Sequence, residues 1–303
     1  MPAEIVNAFT VDVEDYFQVS GFERDIPRTA WGSFECRVVD STQRLLELLS
    51  RNNVRGTFFI LGWIAARYPR LVREIQQAGH ELGSHSYWHR LIYDLSPQEF
   101  RQDLRDSIAA ISDAAGVAVT SFRAPSFSIT ARSLWALELL AECGIRVDSS
   151  IFPLRHDRYG MPEAATGIHA LETPAGTICE FPPTVASLFN MNLPAAGGGY
   201  FRMYPWSVMR QLLNQVQRQG RPLMFYVHPW EVDPEQPRLS AGSAMGRFRH
   251  YLNLATTLPK LERLLGAYRF GTMSESIASW ESSRLVSEEI APSTATEMRE
   301  LVQ

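Results

Sequence analysis

Apolar positions along the chain fall into two alternating kinds of run. Short β-rich stretches occupy residues 5–13 (IVNAFTVDV), 55–61 (RGTFFIL), 80–83, 117–123, 145–147 and 223–227, and each is of strand length. Between them lie longer amphipathic stretches with helix punctuation. Asp40 or Ser41 can N-cap a helix that buries Leu45, Leu46, Leu48 and Leu49, and residues 63–78 read as a helix closed by Gly79. Ser96-Pro97-Gln98-Glu99 is a capping box with proline at the first helical position, which predicts a helix to about Ala115 ended by Gly116. Further helices are predicted over 130–143 with Gly144 after it, 206–219 with Gly220 after it, 257–265 and 274–281, with a short strand at Arg269-Phe270. Strands that alternate with helices predict a parallel sheet covered by helices, and the length suits a closed α/β barrel.

Two stretches break the alternation. Over 152–204 the helical period disappears and breakers crowd in, notably Phe181-Pro182-Pro183 and Gly197-Gly198-Gly199, and 231–256 opens as loop. Both are read as insertions over the site, because they are too long for plain connections. Residues 283–303, rich in Ser, Thr and Glu, read as a polar, mobile tail or an isolated helix. No internal repeat is visible.

Composition narrows the function classes. The 303 residues are 45% hydrophobic and 20% charged, an ordinary globular balance, and the net charge of −4 offers no basic footprint for nucleic acid. Cys36, Cys143 and Cys179 lack C-x-x-C spacing, which argues against a thiolate zinc site and a disulfide framework and for buried free thiols. No apolar run approaches the ~18–20 residues that span a bilayer, and no signal-peptide pattern precedes residue 5, so a cytoplasmic protein without a transmembrane segment is expected. Oligomeric state is not legible.

Four stretches with chemical potential follow strand candidates: residues 12–15, 85–89, 123–126 and 228–231. In α/β barrels the C-terminal strand ends converge on one face, where catalytic residues from distant positions meet. His85 and His89 are four apart, and a backbone that turns helical at Ser84 would put both imidazoles on one face, able to close on one ion. Two imidazoles and a carboxylate leave room for a water, which such an ion makes nucleophilic near neutral pH. A second carboxylate could take its proton, a histidine across the site could protonate the leaving group, and Arg123 could hold the basic carboxylate.

The order of these motifs resembles the NodB-type polysaccharide deacetylases (carbohydrate esterase family 4). The correspondence runs through VDVED from Val11, His85-Ser86-Tyr87-Trp88-His89, Arg123-Ala124-Pro125-Ser126, Asp148-Ser149-Ser150 and Tyr226-Val227-His228. It covers residues 5 to about 271 and implies one domain over 1–282, a distorted (β/α) barrel of about seven strands. By this resemblance Asp12 is the catalytic base, Arg123 orients it, His228 is the general acid and Asp148 tunes that histidine. His85 and His89 become metal ligands, completed by Glu14 or Asp15, because the usual adjacent Asp-Asp is here Asp12-Val13-Glu14-Asp15. The ion expected is zinc, with nickel or cobalt as the other imidazole-compatible choices. Ser126 and Tyr226 stand where the family has Tyr and Leu.

Substrate contacts are expected from Pro125, Ser126 and Phe127, with backbone N–H groups near Pro125 to Phe127 holding the oxyanion, and from Trp88 and Trp230. Tyr16, Phe17, Tyr87, Tyr200 and Phe201 are further aromatic candidates for stacking on sugar rings. VDVEDYFQV, GGGYFRMYP from Gly197, HPWE from His228 and RFRHYLNL from Arg247 are most similar to deacetylases of exosortase (PEP-CTERM) exopolysaccharide loci. That implies an N-acetylated polysaccharide or a lipid-linked sugar as substrate and N-deacetylation as the reaction. Two other readings are an allantoinase-like hydrolase of small cyclic amides or ureides, and a non-catalytic carbohydrate-binding barrel.

Overall fold

The computed structural model describes residues 5–156, 159–189 and 191–290. In chain order the strands are β1 (Asn7–Val13), β2 (Thr57–Ile60), β3 (Glu81–Ser84), β4 (Ser121–Phe122), β5 (Val147–Asp148), β6 (His169–Thr173), β7 (Gly176–Glu180), β8 (Val185–Leu188), β9 (Met191–Pro194), β10 (Met224–Val227) and β11 (Phe270–Gly271). The helices are α1 (Val38–Arg51), α2 (Gly62–Arg67), α3 (Pro69–Gln77), α4 (Pro97–Ala115), α5 (Ala136–Glu142), α6 (Gly198–Met203), α7 (Trp206–Arg218), α8 (Ala244–Tyr251), α9 (Thr257–Ala267) and α10 (Met273–Ile290).

One mostly parallel sheet runs in the order β10-β1-β2-β3-β4-β5-β7-β6, with β11 also on β1, and only β6 is antiparallel to its neighbour. This is the expected α/β architecture, curved as in a (β/α) barrel, although strand pairing does not close the ring among the described residues. The gap between β7 and β10 is filled by irregular backbone. Thr184 N–H donates to Met224 O (3.3 Å), Tyr226 N–H donates to Ala196 O (2.7 Å), and Gly197 bridges Tyr226. Pro182 and Pro183 cannot donate to a ladder, which explains why this part of the wall is not a strand. Within 152–204, therefore, the hairpin β6–β7 extends the sheet and residues 181–184 and 195–197 complete its wall, while β8–β9 stands apart as a second sheet.

Strand parity sets what faces the lumen. On β1, Phe9, Val11 and Val13 join the core under the helices, whereas Ala8 packs inside against Phe59, Met224 and Met273. Thr10 and Asp12 share the inward parity. On β10, Phe225 and Val227 face out and Met224 faces in, so His228 continues the inward row. Burial on both faces accounts for the near-continuous apolar reading of β1. The first turn of α10 is tied to the opposite end of the barrel, with Met273 N–H donating to Thr57 Oγ1 and Ser274 Oγ to Glu81 Oε1.

Several boundaries differ from the sequence expectation for identifiable reasons. Helix α1 starts at Val38, before Asp40 and Ser41, because the Asp15 carboxylate accepts from the N–H groups of Arg37 and Val38. The helix expected over 63–78 is two, broken where Tyr68 precedes Pro69. The helix expected from 130 begins at Ala136, since the Ser133 hydroxyl bonds the backbone of residues 128 and 130 and diverts the preceding turn. Residues 283–290 continue α10, and 291–303 lie outside the described residues.

Gly197 has φ +135°, and a Cβ there would lie 1.9 Å from Tyr226 O, inside the wall that joins 195–197 to β10. Gly197→Ala is expected to cost upward of about 2 kcal/mol, read as a lower urea midpoint at unchanged m-value.

Candidate active site

The four chemical stretches meet at the C-terminal ends of β1, β3, β4 and β10. His85 and His89 do not lie on a helix. The loop after β3 is bent, with Ser86 (φ +63°) and His89 (φ +51°) in the left-handed region. Two of its amides are taken from outside, Tyr87 and Trp88 donating to the Asp103 carboxylate (2.8 and 3.1 Å), and His89 N–H donates to Ser86 Oγ within the loop (3.1 Å). A helix turning at Ser84 would pair the Trp88 and His89 N–H groups with carbonyls one turn back, whereas here Asp103 of α4 and Ser86 Oγ take them, and Ser107 of α4 donates to Ser86 O (3.0 Å).

Glu14, His85 and His89 bring one ligand atom each to within 4.8 Å of one another, and all three are buried. Glu14 Oε2 lies 2.8 Å from His89 Nε2, yet it accepts no well-aligned hydrogen bond. His85 Nδ1 is 2.8 Å from Arg123 O, a pure acceptor, so the ring proton sits there and Nε2 is left with its lone pair. Burial pulls the His85 imidazole down to about 4. Burial pushes Glu14 up, but the imidazoles of His89 and His228 outweigh it and hold the carboxyl well below the usual carboxylate range. Asp15, the other carboxylate considered at this position, turns away. It caps α1 through Oδ2 (2.9 and 3.0 Å) and accepts from Tyr16 N–H through Oδ1 (2.9 Å).

Beside this triad Asp12 is 2% exposed and Arg123 is fully buried. Arg123 Nη1 donates to Asp12 Oδ1 (2.6 Å) and Thr10 Oγ1 (2.7 Å), Nη2 donates to Ser149 Oγ (3.0 Å), and the guanidinium covers the Phe59 ring. Across the site His228 Nε2 is 3.9 Å from Asp12 Oδ2 and 3.5 Å from Glu14 Oε1. Its other nitrogen, Nδ1, is 2.7 Å from Glu231 Oε1. Burial pulls the His228 imidazole down, but Glu14, Glu231 and Asp12 raise it to about 9.

Asp148, expected to tune His228, does not face it. Val147 and Cys179 pack toward the lumen, so Asp148 and Glu180, one residue on, point to the helix-covered side of the sheet with Ile178. There Ser150 donates to Asp148 Oδ1 (2.5 Å), and burial raises both carboxyls, Asp148 to about 6. Glu231 and its buried partner Arg202 were missed as site residues. The signal was the HPWE spacing, which puts a carboxylate three residues after the histidine on one short turn.

The expected substrate contacts also divide. Phe127 N–H is spent on Ala124 O (3.0 Å), its ring packs on Phe152 and Tyr226, and Pro125 has no N–H to give. Ser126, at φ +51°, shows no backbone acceptor for its own N–H, and its hydroxyl is 2.8 Å from Ser20 Oγ. Trp230 is buried and donates to Glu14 Oε1 (3.1 Å), with its faces stacked on His228 and His250. Tyr16, Phe17 and Phe201 are core residues, Tyr87 and Tyr200 are half-buried, and Trp88, 38% exposed, lines a cavity of about 640 Å³ with α2, α3 and α4.

Residues 24–147 match the family model of polysaccharide deacetylase, and residues 149–278 match a domain of unknown function, DUF3473. Over residues 24–147 the chain is similar to the polysaccharide deacetylases. A peptidoglycan-N-acetylglucosamine deacetylase of Bacillus cereus is 32% identical over 101 residues, 33% of this chain and 37% of the relative. Peptidoglycan-N-acetylglucosamine deacetylase PgdA of Listeria monocytogenes is 36% identical over 84 residues, 28% of this chain and 18% of the relative. A chitin deacetylase of Pestalotiopsis is 29% identical over 135 residues, 44% of this chain and 45% of the relative. The chain thus spans less than half the length of each of these curated relatives. A crystal structure from Mycobacterium smegmatis, of a protein assigned to the polysaccharide deacetylases, aligns over 95% of this chain and 96% of its own with a TM-score of 0.59 and 22% identity, a likeness of fold. Both matched segments share one sheet. The deacetylase segment carries His85, His89 and Arg123, and the DUF3473 segment supplies β10, His228, Glu231 and Arg202.

The raised value of His228 ties stability to pH. The stabilisation is complete below the unfolded value of 6.5 and is lost as pH rises through about 9. Chelator-treated protein is therefore expected to lose up to about 3 kcal/mol between pH 6.5 and 9.5, read from urea midpoints. His228→Ala should flatten that slope.

Proposed function

We propose that this chain is a metal-dependent N-deacetylase that hydrolyses acetamide groups of N-acetylhexosamine units and releases acetate. The observation that carries the reading is the convergence of Glu14, His85 and His89 within 4.8 Å, beside an Asp12 clamped by Arg123 and opposite His228. The donor set fits a divalent ion: two imidazoles, one carboxylate, and a buried Glu14 oxygen that lacks an aligned hydrogen bond. Zinc is the first candidate, and nickel and cobalt accept the same ligands. When bound, the ion would polarise the acetyl oxygen and make water nucleophilic near neutral pH.

The chain's own residues do the rest. Asp12, aimed by Arg123, takes a proton from the attacking water as the new C–O bond forms. The Ser126 N–H offers a donor for the oxyanion. His228 Nε2 gives its proton to the sugar nitrogen as the C–N bond breaks, leaving a free amine and acetate. Trp230 positions Glu14 from one side and His228 from the other.

The substrate class rests on the relatives, named as peptidoglycan-N-acetylglucosamine and chitin deacetylases, and on the similarity to exosortase-type exopolysaccharide-locus deacetylases. We therefore favour a bacterial exopolysaccharide or its lipid-linked precursor. Acetate release from chitooligosaccharides, without ring opening of allantoin, is the outcome that separates this reading from a cyclic-amide hydrolase.

The proposal makes two predictions. His85→Ala/His89→Ala should abolish both metal binding and activity, and Glu14→Gln should lower metal content, whereas Asp15→Asn should leave it near parent, all by elemental analysis. Asp12→Asn should keep the metal and lose about 10²–10⁴ in kcat, because an amide cannot accept the water proton. Metal lost from Asp12→Asn would make Asp12 a ligand instead.

A further inference from the structure

Both oxygens of the Glu231 carboxylate are engaged. Oε1 is 2.7 Å from His228 Nδ1 and also accepts the His228 backbone N–H (3.1 Å), so it binds ring and main chain of one residue at once. Oε2 accepts Arg202 Nε (2.7 Å). Arg202, 1% exposed, is itself fixed, with Nη1 donating to His250 O (2.8 Å) and Leu252 O (2.7 Å) and its guanidinium over Trp230. Pro229 opens the turn at 229–232 and locks the three-residue offset between imidazole and carboxylate. Asp148 lies on the other face of the sheet, with Ser150 and Glu180 as its partners.

We propose that Glu231, clamped by Arg202, is the positioning carboxylate of His228, in the role that sequence resemblance assigns to Asp148. The inference rests on the reading of His228 as the acid that protonates the leaving amine. A carboxylate on Nδ1 holds the proton of that nitrogen and fixes the ring so that Nε2 points into the site. The clamp makes this specific to glutamate. A glutamine at 231 has one acceptor oxygen for donors on two sides, Arg202 Nε–H on one and the ring and backbone N–H groups of His228 on the other, so whichever way the amide turns one side of the clamp sets donor against donor. The DUF3473 segment thereby supplies the whole proton-donating side of the site, acid, carboxylate and clamp together.

The test compares an N-acetylated chitooligosaccharide with an activated aryl acetate ester, whose leaving group needs no proton. In metal-loaded protein, Glu231→Gln is expected to lower kcat on the amide by about 10- to 100-fold, short of the about 10²–10⁴-fold loss on removing the acid itself. On the ester kcat should stay near parent, and KM should change little on both. Because the single substitution weakens the tie on a buried arginine, Arg202→Met/Glu231→Gln serves as the second variant and should show the same amide-selective loss. His228→Ala should show the larger amide-selective loss, and Asp148→Asn should keep the parent amide-to-ester ratio. If both Glu231 variants retain the parent ratio while His228→Ala loses it, this proposal is overturned and the acid reading stands. If His228→Ala loses amide and ester equally, the acid reading fails and the proposal with it. An amide-selective loss in Asp148→Asn without one in Glu231→Gln would return the role to Asp148.

Discussion

The Asp12–Arg123 pair is the constraint on which the rest of the site depends. Both groups are buried in the lumen, where taking charges out of water costs several kcal/mol per ion unless geometry and further hydrogen bonds offset it. The barrel supplies those bonds from separate strands. Thr10 on β1 and Ser149 just after β5 accept from the guanidinium, Phe59 on β2 covers it, and the carbonyl of Arg123 itself receives the His85 ring. Loss of one partner would strand an uncompensated charge, typically worth about 3–5 kcal/mol, and would release the proposed base and a proposed ligand together.

Strand order then explains how two separately matched segments make one site. β1 precedes both and is hydrogen-bonded to β2 on one side and β10 on the other. Asp12 and Glu14 therefore sit between His85 and His89, delivered after β3, and His228, delivered after β10. The segment matched as a domain of unknown function supplies β6, β7, β10 and β11 of the sheet, together with the irregular stretches that fill the gap beside β10.

Glu14 lies against His89 and His228, and Glu231 against His228 and Arg202, so the buried carboxylates have cationic or proton-donating neighbours. A cation bound by Glu14, His85 and His89 would require both imidazoles neutral, so binding should weaken at low pH.

The sequence by itself determined the elements and the cast of residues. Periods of two and 3.6, the capping box at Ser96 and the glycines after helices come from local backbone energetics, and they indicated an α/β barrel with Asp12, His85, His89, Arg123 and His228 at strand ends. Tertiary structure decided what each residue faces. Glu14 rather than Asp15 joins the two histidines because α1 docks its N-terminus on Asp15, a contact between residues more than twenty positions apart. The histidines converge through a bent loop because Asp103 of α4 claims its amides. Asp148 is turned from the lumen by the pleat of a two-residue strand whose register is set by its neighbours, and Trp230 is buried because His228 and His250 cover its faces. Local pattern carries propensity and spacing, but the direction of a side chain at a strand end depends on register and on which distant donor reaches it first. Only the folded chain fixes these.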